Sequence, residues 1–90
     1  MIENDYTPHG VCSRNIHVVL SDDGSTIEDV NFLGGCAGNL LAIEKLVKGM
    51  PTDRVIGLLE GNQCGPRPTS CADQLTKALR QAKELAQANA

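Results

Sequence analysis

Cys12, Cys36, Cys64 and Cys71 are the residues of this 90-residue chain best suited to chemistry. A thiolate is at once a nucleophile, a redox centre and a soft metal ligand. The spacing C-x23-C-x27-C-x6-C contains no C-x-x-C pair, so it matches neither a zinc finger nor a thioredoxin-type active site. A tetrahedral site nevertheless sets no rule on sequence order, since zinc asks only for ligands at about 2.3 Å. Three uses stay open: a shared metal site, a thiol redox relay through Cys64 and Cys71, or small buried hydrophobes with no ligand.

The flanks of the cysteines favour ligation. Cys36 lies in "GGCAGN", where Gly34, Gly35 and Gly38 let backbone N–H groups approach a sulfur. Gly65 follows Cys64. Ser70 is a good N-cap beside Cys71, with Asp73 available to complete the cap, and a helix start favours thiolate, the form that binds metal. Other candidates are weaker. His9, three residues before Cys12, is an alternative ligand but reads as a solvated loop histidine, and His17 sits on the polar parity of its strand. "GGCAGN" lacks the Lys-Ser/Thr of a P-loop, and no nucleophile, base and acid are arranged for hydrolysis. Asp73 and Gln74 are expected to fix the loop and helix start rather than act on a substrate.

The elements that position these residues follow from periodicity. "VCSRNIHVVL" places Cys12, Ile16, Val18 and Leu20 on one parity and Ser13, Asn15 and His17 on the other, as in a half-buried strand. "TIEDVNFLGG" repeats the pattern at Val30 and Phe32, and Asp23-Gly24 between them predicts an antiparallel hairpin. Residues 2–7 add an edge strand. Val19 and Ile27, apolar on outward parities, suggest a contact surface.

The period then changes to 3.6. Asn39 is expected to cap a helix with Leu40, Ile43, Leu46 and Val47 on its apolar stripe, and Thr52 to cap a shorter one carrying Val55, Ile56, Leu58 and Leu59. "NQCGPRPT" is a loop. A final helix begins near Ser70, buries Leu75, Ala78, Leu79, Ala82, Leu85 and Ala86, and frays over "AQANA". The expected fold class is α+β: a small antiparallel sheet of two or three strands followed by three helices packed on one face, as a single domain over residues 1–90.

Composition bounds the function. A net charge of −3, no basic cluster and only Tyr6 and Phe32 as aromatics argue against nucleic-acid binding. No apolar run reaches membrane-span length, and the N-terminal "MIENDYTPHG" is not a signal peptide, so a cytoplasmic location is expected. In a reducing compartment stable disulfides are rare, which again favours metal or thiol chemistry.

Together "GVCSRNI", "GGCAGN", "KGM" and "CGPRPTSCADQL" resemble the small four-cysteine proteins of the TSCPD family, whose motif reads Thr69-Ser70-Cys71-Ala72-Asp73 here. The likeness runs from about Tyr6 to Leu79 and covers all four cysteines. Ala72 stands where the family usually has proline, so a preset helix-start dihedral is missing. The resemblance implies kinship with a C-terminal domain of B12-dependent ribonucleotide reductases, and family members often carry the label ribonucleoside-diphosphate reductase. Ninety residues cannot hold that enzyme's barrel and cofactor sites, so no activity is expected of the chain by itself.

A more distant likeness is to NifU/IscU-type iron–sulfur scaffolds, which share the order hairpin, glycine-flanked cysteine, helix ending in a "KG" step, and cysteine opening the last helix. It equates Cys12, Cys36 and Cys71 with the three scaffold cysteines and leaves Cys64 as an addition. Ser70 replaces the histidine that precedes the last cysteine in bacterial scaffolds. The expectation is a metal-binding module with Cys12, Cys36, Cys64 and Cys71 as ligands and Zn²⁺ as occupant, accessory to a protein partner such as a nucleotide reductase or the iron–sulfur machinery. An iron–sulfur carrier and a thiol redox accessory of ribonucleotide reductase are the alternatives.

Overall fold

The computed structural model describes residues 1–11, 13–34, 37–63 and 69–88. Strands β1 (Ile2–Tyr6), β2 (Ser13–Leu20) and β3 (Ile27–Gly34) are followed by helices α1 (Ala37–Val47), α2 (Thr52–Leu59) and α3 (Cys71–Ala88). The strands pair antiparallel in the order β1-β2-β3, giving the expected α+β arrangement.

Alternation along β2 sets the inner face of the sheet. Ile16, Val18 and Leu20 are fully buried. Ile16 faces Tyr6 and Phe32 on its two neighbours, and Val18 faces Asn4 and Val30. These strand residues join Leu40 and Val47 of α1, Val55 and Ile56 of α2, and Leu75, Ala78, Leu79 and Ala82 of α3 in one cluster, so the helices share one face. With few aromatics to fill space, alanines along α3 let the helix lie close to the sheet, and Asn4 Nδ2 donates to the Ala78 carbonyl at 3.3 Å.

A bulge explains where one side chain departs from expectation. Val19 pairs with Asp29 but Leu20 pairs with Ile27, which leaves Glu28 as an extra residue on β3. The parity reverses there, so Ile27 turns inward and is fully buried instead of marking a contact surface, while Val19 is half-buried. The chain before α2 docks against this point: Ile27 N–H donates to the Met50 carbonyl at 3.0 Å, and Gly49 N–H donates to the Ile27 carbonyl at 2.7 Å.

That docking also changes the start of α2. Thr52 N–H donates to the Ser25 carbonyl at 2.9 Å, Pro51 takes the N-cap position without a side-chain cap bond, and Thr52 becomes the first helical residue rather than the cap. Its hydroxyl is turned into the interior, where Oγ1 has no hydrogen-bond partner among the described residues. Thr52→Val keeps the shape and removes an unpaired polar atom, so it is expected to raise stability by about 1 kcal/mol in a denaturant titration.

Two helix ends also move. α1 opens at Ala37, placing Asn39 in its first turn, a shift within the usual spread of helix boundaries. The end of α3 remains helical to Ala88 instead of fraying from Ala86. The hairpin turn anchors it: Gly24 adopts φ +77, and a Cβ there would lie 3.0 Å from the Ala86 side chain, so only glycine allows this approach. Asp23 braces the same turn by accepting from Ser25 N–H and from the Ser25 and Ser21 hydroxyls, which together hold its carboxyl down at about 2.

On the outer face His17 Nδ1 lies 2.9 Å from Asp5 and its Nε2 3.4 Å from Glu3, tying the edge strand to β2. The hydrogen bond to Asp5, aided by both carboxylate charges, raises the imidazole above its ordinary value. A raised histidine stabilises the fold fully below about pH 6.5, its unfolded value, and loses that contribution as pH rises through the folded value. His17→Gln is therefore expected to flatten the decline of stability between neutral and mildly alkaline pH, measured by denaturant unfolding across that range.

Candidate four-cysteine site

A second bulge shapes the end of the central strand that follows Cys12. Ser13 pairs with Gly34, yet Asn15 pairs with Leu33, leaving Arg14 as the extra residue on β2. Ser13 is thereby moved from the polar parity to the helix side, where it is buried. Its Oγ lies 3.4 Å from Cys71 Sγ, and either group can donate. The half-buried Cys71 is the first residue of α3, so its sulfur rests between the helix start and the bulged end of β2.

Ser70 is the N-cap, as expected. Its Oγ accepts from Asp73 N–H at 3.1 Å, and its carbonyl accepts the first helical bond from Gln74 N–H at 2.8 Å. The hydroxyl also donates to the Asn62 carbonyl at 2.6 Å and accepts from Asn62 Nδ2 at 3.2 Å. The segment after α2 is thus held against the start of α3.

Asp73 does more than complete a cap. One carboxylate oxygen accepts from Gly61 N–H at 2.7 Å and the other from the Thr69 hydroxyl at 2.5 Å. The Thr69 and Gly61 donors, with the charge of Lys77 one turn on, hold this carboxyl below its ordinary range against the opposing effect of burial. Gln74 extends the network by donating Nε2 to Thr69 Oγ1 at 3.0 Å and accepting His9 N–H at 3.1 Å. Gly10, at φ +73, brings the β1–β2 loop so near that an added Cβ would meet Thr69 Cγ2 at 3.3 Å. Both residues fix the loops and helix start, as the sequence implied.

Of the four cysteines, Cys71 is described; Cys12, Cys36 and Cys64 lie outside the described residues, as do Gly35, Gly65 and the two prolines of the loop. Residues flanking each of them converge. Ser13, next to Cys12, touches Cys71 and pairs with Gly34, which is two residues from Cys36. Asn62, two residues from Cys64, is bonded to Ser70. Among the described residues no group of three or more His, Cys, Asp or Glu is placed to hold a metal ion. His9 is exposed and engages the network through its backbone, while His17 lies on the outer face with Asp5.

Sequence reasoning missed Ser13, Asn62 and Thr69. A strict period of two assigned Ser13 to the wrong face, and nothing in the local pattern marked the bulge at Arg14. Asn62 and Thr69 act through contacts that only the folded chain creates.

The arrangement is that of an α+β domain whose polar network is built around the start of its last helix. The TSCPD domain matches residues 1–83, and the chain belongs to that family. No curated protein and no solved structure matches it. Among the described residues no helix is long and apolar enough to cross a membrane.

Proposed function

We propose that the chain is a small metal-binding module in which Cys12, Cys36, Cys64 and Cys71 are the ligands and Zn²⁺ is the occupant. The observation that carries this reading is the meeting of Ser13, Gly34, Asn62 and Cys71, or their bonded neighbours, at one end of the sheet. Those residues stand at or within two positions of each cysteine.

The donor set suits the metal. Four thiolates favour zinc or an iron–sulfur centre over hard cations, and a closed four-thiolate zinc site is structural, joining segments far apart in sequence. A small domain with few aromatics gains most from such a cross-link. The Ser13 hydroxyl would serve as an outer hydrogen-bond partner that orients the Cys71 sulfur. The role that follows is accessory to a protein partner, in a reducing, cytoplasmic setting that keeps thiols available.

Anaerobic purification followed by elemental analysis and an absorption spectrum tests the reading. Colourless protein with about one zinc per chain is the expected result. Strong visible absorption with bound iron would replace zinc by an iron–sulfur centre, and metal-free protein with four reactive thiols would overturn the module altogether.

A further inference from the structure

The chain between α2 and α3 leaves and returns at one point. Residues 63–69 separate Asn62 from Ser70, yet the Ser70 hydroxyl donates to the Asn62 carbonyl at 2.6 Å and accepts from Asn62 Nδ2 at 3.2 Å. One residue back, Gly61 N–H donates to Asp73, whose other carboxylate oxygen accepts from the Thr69 hydroxyl. A serine that only capped α3 would need no more than an acceptor for Asp73 N–H; here two of the hydroxyl's three bonds cross to Asn62. Ser70 and Asp73 are both buried, so these bonds are shielded from competing water.

We infer that this clasp is a positioning device for the four-cysteine site, tying the arm that carries Cys64 to the helix start that carries Cys71. The role rests on the metal-binding proposal and adds to it the residues that set the ligand geometry: Asn62, Ser70 and Asp73. Cys64 is two residues beyond Asn62, a span of at most about 7 Å, and Cys71 follows Ser70 directly. Cys12 and Cys36 are flanked by Ser13 and Gly34, which the sheet pairs. The Cys64 arm instead leaves from the end of α2 and depends on the clasp. Closing a loop costs entropy whenever a metal must gather its ligands. A closure made by the protein's own hydrogen bonds removes that cost from the binding step, so Asn62, Ser70 and Asp73 raise affinity without touching the ion.

Two variants of the full chain test this. Ser70→Gly keeps a residue tolerated at an N-cap but removes both bonds to Asn62. Asn62→Ala, at an exposed position that leaves the fold intact, removes the side-chain bond alone. Ile56→Val, a core change on α2 away from the clasp, controls for a general loss of stability. Zinc affinity is measured by competition with a chromogenic chelator; the zinc-loaded proteins are then treated with iodoacetamide, and the alkylation rate of each cysteine is read by mass spectrometry. Ser70→Gly is expected to weaken zinc binding about tenfold and Asn62→Ala about threefold, with Ile56→Val near wild type. In both clasp variants Cys64 should be alkylated several times faster, while Cys12 and Cys36 keep their wild-type rates. Unchanged affinity in variants that still bind zinc, or equal acceleration of all four thiols, would overturn the clasp and leave the metal site standing. Wild-type protein that holds no zinc would remove the four-cysteine site and the clasp's role with it.

Discussion

Leu75→Ala is expected to lower the unfolding free energy by about 3–4 kcal/mol and the melting temperature by about 15–25 °C. Leu75 is fully buried on the core side of α3, one turn from the equally buried Leu79. Its neighbours on that face, Ala72, Ala78 and Ala82, are too small to move into the space, so a cavity would remain. A domain of this length has only about 5–13 kcal/mol of total stability, so one such loss reaches a large fraction of it. A denaturant titration checks the value; a cost below about 1 kcal/mol would show that the helix repacks and that Leu75 is not central to the core.

Asp73→Ala should cost about 2–3 kcal/mol, because it deprives Gly61 N–H and the Thr69 hydroxyl of their acceptor in a buried setting. Asp73→Asn retains an acceptor for Gly61 and should cost about half as much. The pH dependence follows from the depressed carboxyl. Its contribution is fully present above the ordinary aspartate range and is lost as pH falls through the lower folded value. The Asn variant should accordingly lose less stability on acidification than the wild type, measured by chemical unfolding at successive acidic pH values. An Ala variant as stable as wild type would remove the network from any structural role.

Much of the fold was legible because local signals agreed with one another. The alternation around Ile16, Val18, Val30 and Phe32 located the hairpin, and the 3.6 period from Leu75 to Ala86 located α3. Ser70 read correctly as a cap because the serine, the acidic residue three positions on and the apolar run all pointed to one helix start. Misreadings arose where tertiary contacts reset a local rule. The bulges at Arg14 and Glu28 reversed parity at Ser13 and Ile27. Docking of Met50 and Thr52 on the hairpin displaced the Thr52 cap, and Leu46, Leu58 and Leu85, all expected on buried stripes, are exposed instead. At the cysteine end of the sheet the donor types were visible in the sequence, whereas the contact between Ser13 and Cys71 was not, since it joins residues 58 positions apart.

Whether the four cysteines act together on one metal ion, as proposed, is decided by metal content measured together with thermal stability. Protein purified without oxygen should carry about one zinc per chain and lose both metal and thermal stability when treated with a strong chelator. Cys71→Ser should bind markedly less metal from the outset. A metal-free protein whose melting temperature is unchanged by chelator, with Cys71→Ser indistinguishable from wild type, would mean that the cysteines hold no shared metal ion.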